Sequence, residues 1–158
     1  MPNDSNSDAF YPPAGFYFSV NFAGISSEQL ASFQEVSGIS MEMETKEITE
    51  GGENQFSRRV PSGVKYQNLV LKRGLMIKNS PIAQWCQDTL SSGFEKVIKP
   101  KSIVVSLLDE SAKPIMNWAF HNAYPVKWEI SDLKSSDNAL VIETLEFTYS
   151  YFESKPVS

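Results

Sequence analysis

The stretch that decides the fold runs from Thr45 to Ile77 and reads TKEITEGGENQFSRRVPSGVKYQNLVLKRGLMI. Its first part has no apolar periodicity and carries Gly51, Gly52, Pro61 and Gly63. From Lys65 onward it changes to a β-type pattern, so a charged arm at about 45–64 is expected to lead directly into a strand over Val64–Ile77. An irregular segment of this length in a small domain generally has a function or is disordered. Glu47, Glu50 and Glu53 stand against Arg58, Arg59 and Lys65. That mixture of signs suits docking on a neighbouring surface, so the functional reading is preferred.

Working outward, Gly15–Ile25 alternates cleanly, with Phe16, Phe18, Val20 and Phe22 on one face, and predicts a strand. Ser26–Ala31 reads as a short connection. Phe33–Lys46 is extended and interrupted at Gly38, where a bulge or a close backbone approach is expected. Downstream of the arm the period changes. Ser80 is a good N-cap and Pro81 suits the first helical position. Ile82, Trp85, Cys86 and Leu90 then fall at helical spacing, predicting one α-helix at about 80–92 with these four on its core face. Further strands are expected at Lys101–Leu108, Ile115–Phe120, Tyr124–Leu133 and Leu140–Phe152, with polar turns between them. About seven strands and one helix, without regular βα alternation, point to a mainly β fold. Two packed antiparallel sheets, sandwich- or barrel-like, are the expected architecture.

A chain of 158 residues is expected to form a single domain over 14–153, preceded by a flexible leader at 1–13 and followed by a polar tail at 154–158. One cysteine excludes an intramolecular disulfide framework, and one cysteine with one histidine cannot make an ordinary zinc site. No metal and no cofactor is implied. A net charge of −5 argues against a free nucleic-acid binder. No apolar run has the length needed to span a bilayer, and the acidic, polar start MPNDSNSDAF is unlike a secretory signal.

Candidate chemistry is sparse. His121 follows Phe120 at an expected strand end, and no nucleophile-elbow motif accompanies it, so it reads as a histidine at a strand end or turn rather than a triad member. Glu42 and Glu44 share a strand face and Glu143 lies on another strand, but exposed acids of this kind are ordinarily solvated. Cys86 reads as a small core residue. Arg58, Arg59, Lys65, Lys72 and Arg73 form the one basic concentration, read first as ion-pairing with acidic patches on another subunit, with a nucleic-acid groove using nearby Tyr66 and Phe56 or a plainly solvated loop as the alternatives. Catalytic residues are therefore expected to be none, and the chain is read as a non-enzyme.

The segment EGGENQFSRRVPSGVKYQNLVLKRG resembles the signature of the tail-tube (inner tube) proteins of contractile phage tails and phage-tail-like extracellular contractile injection systems. The matching residues are Gly51, Gly52, Asn54, Arg58, Pro61, Gly63, Lys65, Tyr66, Leu71, Lys72, Arg73 and Gly74. FYFSVNFAGI and FQEVSGIS fit as flanks, and the similarity covers roughly Gly15–Phe152. The resemblance implies six subunits in a ring whose inner sheets join around a lumen. Rings stack into a tube within a contractile sheath, which drives the tube through a target envelope. It implies that Gly51, Gly52, Asn54, Arg58, Arg59, Pro61, Gly63, Lys65 and Tyr66 form an inter-subunit stacking arm. Implied partners are further copies of the chain, a sheath protein, baseplate and tail-terminator proteins, and cargo in the lumen, with no specific nucleic-acid recognition and no membrane insertion of the monomer. Such a subunit is made in the cytoplasm and assembled into a particle that is released or membrane-anchored. The leader before Phe16 is longer than a minimal tube subunit needs. The family includes tube-initiator paralogues at the baseplate. The alternative from another class is a carbohydrate- or small-ligand-binding β-sandwich using Trp118, Tyr124 and Trp128, and a hydrolase dependent on His121 comes third.

Overall fold

The computed structural model describes residues 17–26, 33–49, 57–75, 80–135 and 140–157. Gly51, Gly52, Asn54 and Phe56 of the arm, the leader at 1–13, and most of the Ser26–Ala31 connection lie outside the described residues. Among the described residues, nine strands and one helix follow in the order β1 (Tyr17–Phe22), β2 (Glu35–Ser37), β3 (Met41–Ile48), β4 (Arg58–Tyr66), β5 (Leu69–Gly74), α1 (Pro81–Ser91), β6 (Lys101–Leu108), β7 (Pro114–Ile130), β8 (Ile142–Thr148) and β9 (Tyr151–Pro156). Every pairing is antiparallel.

The body is two sheets that share β7. One sheet runs β1-β6-β7-β9 and the other runs β7-β8-β5-β2. The sharing explains two departures from the expected strands. Ile115–Phe120 and Tyr124–Leu133 are not separate strands but parts of the 17-residue β7, which bends at Asn122 with φ +56. Leu140–Phe152 is not one strand but β8 and β9, parted at Tyr149 and Ser150. The two breaks face each other, since the Ser150 N–H donates to the His121 carbonyl at 2.9 Å. Both chain segments thus turn from one sheet to the other at the same corner. His121 lies in β7 next to this bend, stacked on Tyr151.

The space between the sheets is filled by the inward parity of each strand. Val20 and Phe22 come from β1, Ile103 and Val105 from β6, and Phe120 and Phe152 from β7 and β9. Leu69, Leu71, Leu145 and Phe147 come from the second sheet, where Leu71 is the register partner of Leu145 and Leu69 of Phe147. Complete burial of each such side chain contributes roughly 1.5–3 kcal/mol. Trp118 and Trp128 pack against this core instead of forming a free aromatic surface.

α1 closes the sandwich at one side. The Ser80 hydroxyl accepts from the Ala83 N–H at 3.4 Å, and Pro81 occupies the first turn, where a missing N–H costs nothing. Ile82 and Cys86 are fully buried. Trp85 is half-buried, stacked on Phe147 with centroids 5.8 Å apart. Leu90 departs from the expected core face and is 42% exposed, while the buried residues of the helix, Ile82 and Cys86, lie in its first two turns.

Candidate functional site

β3 and β4 form a separate two-stranded ribbon outside both sheets. The arm expected to be irregular is therefore a strand over its second half. The cause is the partner strand, since β3 supplies the ladder that local patterning in SRRVPSG does not suggest. Met41 pairs with Tyr66, Met43 with Val64, Glu47 with Arg59 and Ile48 with Arg58. Pro61 is accommodated by a register shift, in which Glu44 pairs with Gly63 and Thr45 with Pro61, leaving Ser62 as the extra residue. A proline lacking its N–H is tolerated at such a bulge in a ribbon whose strands both have an open edge. The Ser57 hydroxyl donates to Glu47 at the outer end.

The root of the ribbon is fixed by close backbone contact. Ser37 pairs with Val70 in the body and Met41 with Tyr66 in the ribbon, four residues farther along each strand. The register is thus retained across a break at residues 38–40 opposite 67–69. Gly38 sits in the break with φ +89, and a Cβ there would lie 1.9 Å from the Asn68 carbonyl oxygen. The expectation of a close approach at Gly38 is met at this contact. The same break divides the expected Val64–Ile77 strand into β4 and β5. The Tyr149 hydroxyl donates to the Gln67 carbonyl at 2.7 Å, and its pKa is raised by burial and by neighbouring Tyr66. Tyr66, expected on the arm, stands at its root, half-buried with its ring 5.5 Å from Phe152 and 5.8 Å from Tyr149.

Beyond the root the ribbon is open to solvent. Arg58, Arg59, Pro61, Gly63 and Lys65 are all exposed, and every residue of β3 is exposed. Direct cross-strand partners share a face, so Met41, Met43, Val64 and Tyr66 lie together on one side. Met41 is 58% exposed, Met43 55% and Val64 49%. The opposite side carries Glu42 across from Lys65.

The basic concentration does not hold together as one surface. Arg73 is fully buried and belongs to a lock inside the body. Its Nε and Nη2 donate to Glu143 Oε1 at 3.1 and 2.9 Å, and Nη2 also donates to the Ser80 hydroxyl at 2.8 Å. The guanidinium lies 5.2 Å from the centroid of the Phe33 ring. Ser80 thus serves the helix cap and the ion pair together. Cys86 lies within the field of this pair. Its thiol pKa is pushed up to about 12, chiefly by burial, with Glu143 raising it further and Arg73 opposing. The strand parity already contained the signal for this lock. Arg73 continues the Leu69–Leu71 stripe and Glu143 precedes Leu145 and Phe147 on theirs, so two opposite charges end two facing apolar stripes. Among the described residues, no group of three or more histidine, cysteine or acidic side chains is placed to hold a metal.

The sequence family described as the T4-like virus tail tube protein gp19 matches residues 14–153. A chain of the anti-feeding prophage baseplate is 30% identical, with 92% of this chain and 97% of that chain covered and a TM-score of 0.75. A chain of the sheath–tube complex of an extracellular contractile injection system, in its extended state, is 20% identical over 99% and 100% of the two chains, with a TM-score of 0.78. Hcp1 from Flavobacterium johnsoniae has a TM-score of 0.59 at 14% identity, covering 89% of this chain and 96% of its own. The last two are likenesses of fold alone. No curated protein sequence matches.

Proposed function

The chain belongs to the T4-like virus tail tube protein gp19 family, and from that premise we propose that it forms hexameric rings which stack into the inner tube of a contractile injection particle. The observation that carries the proposal is the ribbon. A two-stranded hairpin alone in water is marginally stable at best. This one lies outside both sheets and presents Met41, Met43 and Val64 to solvent on one face. Packing against a neighbouring subunit covers that face and satisfies the open strand edges. A head-to-tail contact of this kind generates a ring where its rotation closes. Six-fold symmetry was imposed on the anti-feeding prophage baseplate that contains the 30% identical chain, which supports the ring size. In this reading the subunit performs no chemistry. It transmits force as a rigid body, conducts cargo through the lumen, and contacts a sheath and terminating proteins in a particle assembled inside the producing cell.

A second reading is favoured by one observation: the 30% identity is to a chain in a baseplate, whereas the chain in the sheath–tube complex is 20% identical. It places the subunit at the baseplate end, as a tube initiator. Negative-stain electron microscopy of the purified protein across a concentration series tests both. Long tubes with a central hole support the main tube subunit, and single or short-stacked rings support the initiator. In the Arg58→Glu/Arg59→Glu double variant the monomer is expected to fold normally and stacking to weaken. Tubes of unchanged length and yield count against the ribbon's role.

A further inference from the structure

The two ends of the β7-β8-β5-β2 sheet are unlike. The ribbon leaves it at the end where Leu69 pairs with Phe147 and Tyr124 with Thr148. At the opposite end Gly74 pairs with Ile142 and Ile130 with Glu143. There the Leu75 N–H donates to the Val141 carbonyl and the Ser131 N–H to the Ile142 carbonyl, both at 2.9 Å, so the ends of β5, β8 and β7 leave the sheet side by side. Leu75 is 42% exposed at this end, Leu133 75% and Leu140 62%. Leu140 lies over Gly74, where an added Cβ would come within 3.4 Å of its Cδ2. Leu133 stands between Asp132 and Lys134, both exposed. This end is thus an apolar patch with one charge of each sign beside it. The ribbon's apolar face has the same composition. Alternate residues of a strand share a face, so Met41 and Met43 are followed outward by Thr45 and then by Glu47, which pairs with Arg59.

We infer that the ribbon of one copy docks on the leucine end of a second copy of this chain. Met41, Met43 and Val64 cover Leu75, Leu133 and Leu140, while Arg59 meets Asp132 and Glu47 meets Lys134. The inference rests on the tube reading and names what the ribbon touches in it. Ribbon and leucines lie at opposite ends of the same strands, so a shift of one copy along the strand direction brings one onto the other. Each copy carries one of each, and a head-to-tail contact of this kind repeats from copy to copy. The eight residues of β3 span about 27 Å, so the ribbon has the reach to lie along the sheet it meets. Phe94 and Val97 are also strongly exposed, but they lie toward the ribbon end. α1 starts at Ser80 beside Arg73, near the leucines, and its Trp85 already stacks on Phe147 at the ribbon end. The chain then enters β6 at Lys101 opposite Ala123, next to Tyr124. A ribbon reaches that pair only on a copy turned end for end, a closed contact of two copies that does not repeat.

The test is disulfide cross-linking between full-length subunits mixed in pairs, with negative-stain microscopy of the same samples to read assembly. Native Cys86 is buried and stays out of the reaction. Met43→Cys mixed with Leu133→Cys is expected to give a covalent dimer under mild oxidation, and Met43→Cys mixed with Val97→Cys to give none above background. Arg59→Asp sets like charges against Asp132 and is expected to lose assembly, because such juxtapositions exclude a pairing. Adding Asp132→Arg to the same chain is expected to restore it. An assembling sample without the Met43–Leu133 cross-link overturns the inference and leaves the tube reading standing. A Met43–Val97 cross-link in its place overturns it in favour of the closed pair. Assembly that Asp132→Arg does not restore overturns the Arg59–Asp132 contact. A parent that stays monomeric at every concentration overturns the tube reading and this inference with it.

Discussion

β4 and β5 follow one another along the chain with only Gln67 and Asn68 between them, yet they live in opposite environments. Apart from Val60 and Tyr66, β4 is exposed throughout, whereas Leu69, Leu71 and Arg73 of β5 are fully buried. β5 is held by β8 on one side and β2 on the other. β4 has β3 alone. The difference separates the chain's buried core from the surface that, in the proposed reading, meets a neighbouring copy. Changes in β5 are expected to act on folding, and changes in the outer ribbon on association.

The largest effect is expected at the buried lock. Arg73→Met leaves Glu143 charged and unpaired in the interior, a loss of about 3–5 kcal/mol. Pairing it with Glu143→Leu is expected to recover most of that loss, because the apolar pair has no charge to desolvate. Urea unfolding of the two single variants and the double variant measures the difference. Equal destabilisation of single and double variants shows that the packing of these side chains, and not their pairing, holds β5 to β8.

The junction comes next. Gly38→Ala places a Cβ against the Asn68 carbonyl in a left-handed conformation, at an expected cost of about 1–3 kcal/mol. A chemical-shift comparison is expected to show changes concentrated at residues 66–70. A variant as stable as the parent implies that the ribbon swings freely about the break.

How much of this was legible in sequence follows the same division. The alternation of β1, β6 and β8 and the Ser80–Pro81 helix start could be read because each is a local pattern with its apolar face buried within the subunit. Leu90 was misplaced because periodicity says which face is apolar, not how many of its turns are buried. The bends at Asn122 and at Tyr149–Ser150 were hidden, since a strand that passes from one sheet to another keeps its alternation on both sides of the corner. The ribbon's β4 was hidden for a different reason: its faces are not core faces, so burial imposes no period on SRRVPSG. The Arg73–Glu143 lock was readable from parity, but charge clustering along the sequence drew Arg73 into a surface patch.

Cys86 provides a pH-dependent measure of the body. Burial pushes the thiol pKa up from its ordinary value of 9.0 to about 12. Between those values the unfolded chain releases this proton and the folded chain retains it. This contribution to stability is therefore complete below pH 9 and declines as the pH rises, by at most about 1.4 kcal/mol per unit. The parent is expected to lose stability more steeply than Cys86→Ala over that window. Parallel pH profiles place the thiol in contact with solvent and refute a closed α1–β8 packing.

The smallest effect on the subunit is expected at the ribbon, and it separates the two regions most sharply. Met41→Ser/Met43→Ser removes apolar surface that is already more than half exposed, so little burial is lost and the monomer's stability should change by no more than about 0.5 kcal/mol per site. The same change strips the apolar face that the proposed neighbour covers, so rings and tubes are expected to fail at concentrations where the parent assembles. Sedimentation velocity reads association, and a thermal scan of the same samples reads folding. A monomer destabilised as strongly as Arg73→Met means that the ribbon is part of the folding unit, and the contrast between β4 and β5 is lost. Intact assembly with a stable monomer means that the methionine face points to solvent in the tube, and the contact between subunits then falls to the charged face with Glu42 and Lys65.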